Sequence, residues 1–262
     1  MMRFSSWAKP KQVTIKIAAI LFWLLAWEAV SRYVGQEVLL VSPVRAIGRL
    51  FELAGTAEFW RAVGTTCRRV LEGFGISILA GSALAVITSR SKFLKHLFDP
   101  LLRVLRATPV AAVIILALVW LARVHVPVFV VFLMVLPIVW TNLYAGLQEV
   151  DPQLLEMGKV FRFGWWKQIR YIYIPALMPY IVSALVTGLG IAWRSAIGAE
   201  VLARHRGTMG SHIMDARIYL QTADLFAWAI AVIALSILLE KGMVQLLALL
   251  SNRLAGKRGR AA

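Results

Sequence analysis

The sequence predicts an all-α membrane protein with six transmembrane helices, and three observations carry that expectation. Of its 262 residues 60% are hydrophobic, with a mean hydropathy of +0.74, against roughly 45–50% apolar residues in soluble domains. Six apolar stretches, at about 14–34, 70–89, 101–122, 127–147, 176–202 and 226–250, each offer the ~20 residues needed to cross a hydrocarbon core about 30 Å thick. Lysine is also sorted along the chain. With the N-terminus in the cytoplasm, the inside segments are that terminus, 90–106, 148–175 and the C-terminal end, and all nine lysines fall in or at the borders of these. Arginine is divided less cleanly, but the combined bias follows the enrichment of basic residues in cytoplasmic loops. The formal net charge of +16 therefore reflects membrane topology rather than a nucleic-acid surface. Both termini are expected inside.

The first stretch is basic (Arg3, Lys9, Lys11, Lys16) and then apolar from Ile17 to Ala29. Glu28, Arg32 and Tyr33 follow it in place of a small-residue cleavage site, so it is expected to be a retained span. Next, Ser42-Pro43 has the form of a helix start, a capping serine with proline at the first helical position. Val44, Ile47, Phe51 and Ala54 then fall on one face of a short helix lying on the membrane surface or against the spans. The second and fifth spans carry small residues at every fourth position: Gly73, Ser77, Gly81, Ala85 and Ser89, then Ala184, Gly188, Ala192 and Ala196. Helices in lipid associate through close packing at small residues, which puts both spans inside a bundle. Pro127 and Pro175 fit helix starts, whereas Pro109 and Pro137 fit kinks inside the third and fourth spans.

Motifs for chemistry are missing. The sequence contains no GxxxxGK[ST] phosphate loop, CxxC, HExxH or GxSxG, and Cys67 is the only cysteine. The histidines at 96, 125, 205 and 212 are spaced unlike a shared helical metal site. Neither an enzyme nor a bound cofactor or metal is expected. Arg194 stands out in the middle of the fifth span, where a charge costs about 2.5–3.5 kcal/mol on insertion scales. It either lines a path that attracts an anion, with Trp193 and Glu200 beside it, or lies near the outer interface and extends its guanidinium there. At ~100° per residue it sits about 240° around the helix from Glu200, too far for a pair on one helix.

The long polar and aromatic stretch from Glu149 to Pro179 cannot sit in lipid, and it resembles the cytoplasmic signature loop of integral-membrane permeases of binding-protein-dependent ABC importers. That signature reads Glu-Ala-Ala, three residues, Gly, nine residues, then Ile-x-Leu-Pro. Here Glu156-Met157-Gly158 fills the first three places, Lys159-Val160-Phe161 the next three, and Phe163 to Tyr171 the spacer before Ile172-Tyr173-Ile174-Pro175. Arg162 stands in the glycine place, and Gly164, two positions later, is expected to make the turn instead. Arg69-Val70-Leu71-Glu72-Gly73-Phe74, Asp99-Pro100, Thr108-Pro109, and Ile191-Ala192-Trp193 followed by Ala199-Glu200 are similar to the nitrate, sulfonate and taurine branch, which also includes permeases for thiamine-precursor pyrimidines. The residue after Trp193 is usually apolar in that branch, so Arg194 is a departure.

The resemblance covers about residues 65–239 of a single permease domain, 1–262, and implies the type I ABC importer fold. It implies a second copy of the permease, two cytoplasmic ATP-binding subunits and a periplasmic or lipid-anchored substrate-binding protein, in the inner membrane of a bacterium and in contact with its lipid. The loop 149–175 would dock on the ATPase through Leu154, Leu155, Met157, Phe161 and Trp165, rimmed by Glu156, Lys159 and Arg162, with Gly158, Gly164 and Pro175 shaping it. ATP would then be bound by the partner, which accounts for the missing phosphate loop. The loop from Arg204 to Thr222 would lie at the periplasmic mouth, or would simply cap the spans. The implied substrate is a small solute such as a sulfonate or nitrate, or alternatively a heterocyclic nutrient. A self-sufficient secondary carrier is the reading from a different class, and the sequence shows none of the repeated halves common in such carriers.

Overall fold

The computed structural model describes residues 9–256, and every regular element among them is a helix. Arg3, Lys257 and the basic C-terminal tip, which helped to orient the sequence, lie outside the described residues.

Three long helices make the centre: α3 (Ala57–Arg90), α6 (Val126–Gln148) and α9 (Ile174–Ala203). Their small-residue rows let the backbones approach closely. A Cβ on Gly73 would stand 2.7 Å from the Val128 carbonyl oxygen, and one on Gly81 2.9 Å from the Val139 side chain. One on Gly188 would meet Phe74 at 3.1 Å and Val135 at 3.2 Å. Ser77 adds a hydrogen bond across the α3–α6 seam, from Oγ to the Phe132 carbonyl at 3.3 Å. Both rows are therefore interior, as expected. Around them Phe59, Val70 and Phe74 of α3, Val131, Val135 and Val139 of α6 and Trp193 of α9 form the main core.

One side of this core is covered by α10 (Met209–Ile218) and α11 (Thr222–Gly256). Trp228 of α11 is sandwiched between Phe59, with ring centroids 5.0 Å apart, and His212, at 4.7 Å. The short helix α2 (Pro43–Ala54) begins as expected: Ser42 accepts a hydrogen bond from the Arg45 amide and Pro43 opens the first turn. Its packing face is rotated from the expected one. Ala46 is fully buried and Leu50 and Leu53 join the core, while Val44 and Phe51 are largely exposed. The same side carries an ion pair: Arg49 holds Asp224 of α11 through two bonds, Nε to Oδ1 at 2.5 Å and Nη2 to Oδ2 at 3.2 Å. With the arginine turned toward α11, the Val44–Phe51 face points outward. The first helix, α1 (Lys9–Val34), is tied on through Trp27 Nε1 to the Val41 carbonyl and Ser31 Oγ to that of Leu40, and is otherwise mostly exposed, with Phe22, Trp23 and Leu25 facing outward.

The expected third span is broken where a kink was predicted. It consists of α4 (Lys92–Ala107) and α5 (Val110–Trp120), set at 105° to each other. A proline alone would only bend a helix, but the preceding Thr108 is forced into extended backbone (φ −76°, ψ 127°), as residues before proline are. At 1.5 Å per residue α5 is only about 16 Å long, about half a bilayer. Among the described residues there are thus five helices long and apolar enough to cross a membrane, and up to six if the bent pair counts as one span. Leu102 anchors α4 against Ala85 and Trp140, while Phe93, Leu97, Leu101 and Val104 form an exposed apolar stripe.

Candidate functional site

The stretch between α6 and α9 is folded and projects from one end of the bundle. Asp151 caps α7 (Pro152–Val160), its carboxylate accepting from the Gln153 amide at 2.8 Å, with Pro152 at the first position. The helix closes with a pair of hydrogen bonds, from the Phe163 amide to the Gly158 carbonyl at 2.7 Å and from the Arg162 amide to the Lys159 carbonyl at 3.0 Å. This closure requires a left-handed residue just past the helix end, usually glycine. Here Arg162 takes it, at φ 49°. Gly164 does not replace the missing glycine: it is extended (φ −63°, ψ 161°) and caps α8 (Trp165–Gln168). The turn stays in the signature's register, where the two bonds fix it, and the arginine bears a left-handed conformation that costs about 1–2 kcal/mol for a residue with a Cβ.

Pro175 stands in the first turn of α9, as expected of a proline at a helix start, but the chain is already helical before it. A π-helical turn, Ile169–Tyr173, joins α8 to α9, so the chain is helical from Trp165 to Ala203. The wider turn accommodates a proline that lacks an amide for the ladder and whose ring would crowd the carbonyl four residues back.

One side of α7 rests on this π turn. Gly158 is buried, and a Cβ there would lie 3.1 Å from Ile172 Cδ1; Ile172 is itself buried. Leu155 is half-buried on that side, so it supports the loop, whereas the sequence had placed it on the outer surface with Leu154. The outer surface is formed by Leu154, Met157, Val160, Phe161, Trp165 and Trp166, all exposed, with Phe161 at 68% and Trp166 at 80%. The sequence reading missed Val160 and Trp166 as members of this patch, although helical spacing from Met157 marks the first. Around the patch, Glu156, Lys159, Arg162, Lys167 and Arg170 make no side-chain hydrogen bond or ion pair with any described residue. The loop is fastened to the bundle by Arg90 at the end of α3, whose guanidinium lies 5.5 Å over the Trp165 ring.

The three charged or aromatic residues expected along a path are separated by the fold. Trp193 is buried and donates from Nε1 to the Val232 carbonyl at 3.1 Å. Glu200 is also fully enclosed. Its Oε2 accepts from Thr66 Oγ1 at 2.8 Å and from the Gly210 amide at 3.3 Å, and its Oε1 lies 3.6 Å from Arg69 Nη1. The Met209 amide donates to Thr66 Oγ1 at 3.2 Å, so the start of α10 is fixed over the α3–α9 seam. Gly210 is what allows this, since a Cβ there would be 2.5 Å from that of Glu200. Arg69 gave no sign of this role in the sequence beyond standing next to Arg68; only the fold shows that one arginine of the doublet turns inward. Arg194 alone is exposed, with Nε donating to the Gly190 carbonyl at 3.2 Å. On the same bundle, Ile78, Val86, Val139, Leu147, Leu177 and Ile181 line an apolar crevice of about 330 Å³ between α3, α6 and α9.

The family described as "Binding-protein-dependent transport system inner membrane component" matches residues 74–255. The chain is 30% identical to a putative aliphatic sulfonates transport permease protein of Bacillus subtilis over 203 residues, 77% of this chain and 73% of the relative. It is 24% identical to a taurine transport system permease protein of Escherichia coli over 245 residues, 90% and 88% of the two chains. A nitrate import permease protein of Synechocystis is 28% identical over 209 residues, 76% and 74%.

Proposed function

The chain belongs to the family of binding-protein-dependent transport system inner membrane components, and on that premise we propose that it is the permease subunit of an ATP-driven importer carrying a small anion from periplasm to cytoplasm. The observation that carries this reading is the loop of residues 149–175. It presents an apolar patch ringed by charges that find no partner among the described residues, between two helices long and apolar enough to cross a membrane. Such a surface is what a protein interface needs, apolar in the middle and polar at the rim.

In this mechanism an ATP-binding subunit receives α7, with Met157, Phe161 and Trp165 in its groove and Glu156 and Lys159 at the rim. The contacts of Gly158 with Ile172 and of Arg90 with Trp165 make the loop a stiff lever on α3 and α9. Closure of two ATP-binding subunits then moves two permease copies as rigid bodies and alternates access between the two faces. Both termini and the loop lie in the cytoplasm, and a substrate-binding protein delivers the solute at the opposite end, near α10. Relatives named for sulfonates, taurine and nitrate favour an anion over a heterocyclic nutrient. Arg194, exposed within a membrane-crossing helix, is the residue best suited to attract it.

The test is purification of the tagged chain in mild detergent. An ATP-binding subunit should co-purify, and Glu156→Lys should abolish transport while leaving membrane insertion intact. Unchanged transport by Glu156→Lys would remove the coupling assignment; a chain that transports with no ATPase attached would make it a secondary carrier.

A further inference from the structure

Arg162 holds a conformation that glycine would adopt without strain, and the fold makes no use of its side chain. The two closing bonds of α7 involve backbone atoms only, the guanidinium is exposed, and it has no partner among the described residues. A left-handed arginine is therefore a cost that no contact among the described residues offsets. Strained, non-glycine backbone of this kind is concentrated at functional contacts.

Its surroundings say what chemistry it can serve. Between Pro152 and Ile174 the only acidic residue is Glu156, against Lys159, Arg162, Lys167 and Arg170. The tip of the loop is thus net positive, and in the chain Arg162 directly follows the exposed Phe161 and precedes the exposed Trp165 by three residues. When a partner covers Phe161, the next residue in the chain enters the rim of that interface, and a guanidinium that loses water there pairs more strongly. Its planar fork matches a carboxylate in two parallel bonds, which a lysine cannot reproduce.

We propose that Arg162 selects the partner of this loop by pairing with a carboxylate on the rim of the groove in the ATP-binding subunit that receives Phe161 and Trp165. This rests on reading the loop as the ATPase-docking surface. The contact discriminates: an ATP-binding subunit without an acidic group there meets an unpaired, desolvated arginine, and is rejected by it.

The experiment measures binding of the co-purifying ATP-binding subunit, stripped and added back, to wild-type, Arg162→Gly, Arg162→Lys and Arg162→Glu permease in uncharged detergent. Arg162→Gly should unfold at the same or a higher temperature than wild type, yet bind roughly tenfold more weakly, the equivalent of one charge-assisted contact. Arg162→Lys should be intermediate and Arg162→Glu weaker still, with the differences shrinking at high salt. Wild-type affinity in Arg162→Gly overturns the proposal. So does a defect confined to vesicles containing anionic lipid, which would make the membrane surface the partner. If wild type itself binds no ATP-binding subunit, the docking reading fails first and takes this one with it.

Discussion

Glu200 and Arg194 lie six residues apart on one helix and face opposite demands. Glu200 is enclosed with Arg69, Thr66 and the amide of Gly210, so removing it leaves an arginine buried without a counter-charge. Glu200→Ala should destabilise the protein by about 3–5 kcal/mol, whereas Arg69→Met combined with Glu200→Leu should recover most of that loss, because a well-packed apolar pair avoids the desolvation of two charges. Thermal unfolding in detergent measures both. Arg194 contributes little packing: it is exposed and bonded only to the Gly190 carbonyl of its own helix. Arg194→Ala should reduce uptake of an anionic substrate far more than it reduces the amount of protein in the membrane; parallel loss of both would assign it to structure. Glu200 stands four residues after Ala196 and so continues the spacing of the small-residue row, which places it on the packed side of the helix. Its partner was not legible, because Arg69 is 131 positions away and periodicity does not reveal which of Arg68 and Arg69 turns in.

At the level of elements, the α3–α6 seam depends on glycine where backbone meets backbone. Gly73→Ala places a Cβ 2.7 Å from the Val128 carbonyl oxygen, which cannot swing aside as a side chain would, and should cost about 1–3 kcal/mol. Gly75→Ala, with nothing within 4 Å, should be neutral or gain up to about 1 kcal/mol from helix propensity. Unfolding temperatures of the two variants separate packing from propensity. The small-residue rows, the Ser42 cap and the start of α6 near Pro127 were all legible, since each is a local pattern. The rotation of α2, the break at Thr108-Pro109 and the π turn before Pro175 were not. Which face of α2 packs depends on the core and on Asp224 of α11, both distant in sequence, and a proline in an apolar run is compatible with a kink, a break or a wider turn until neighbouring helices select one.

For the whole molecule, the exposed stripe of α4, the crevice between α3, α6 and α9, and the patch on α7 leave apolar surface that one protomer does not cover. On the proposed mechanism the complex purified in mild detergent should contain two permease copies and two ATP-binding subunits, which mass photometry or light scattering reads directly; a stable complex of one copy of each would remove the second copy from the mechanism. The sequence by itself determined the class of this protein: apolar runs of spanning length, lysines clustered between and beside those runs, and a signature loop with its spacing intact are properties of composition and order along the chain. Only the tertiary structure decided that Arg162, and not Gly164, makes the left-handed turn, that Glu200 is closed against Arg69 while Arg194 stays open, and that the third span is two helices at 105°. Each of these depends on groups brought together across the fold: backbone bonds that fix the register of a helix end, a counter-charge from another helix, and neighbours that hold a broken segment in place.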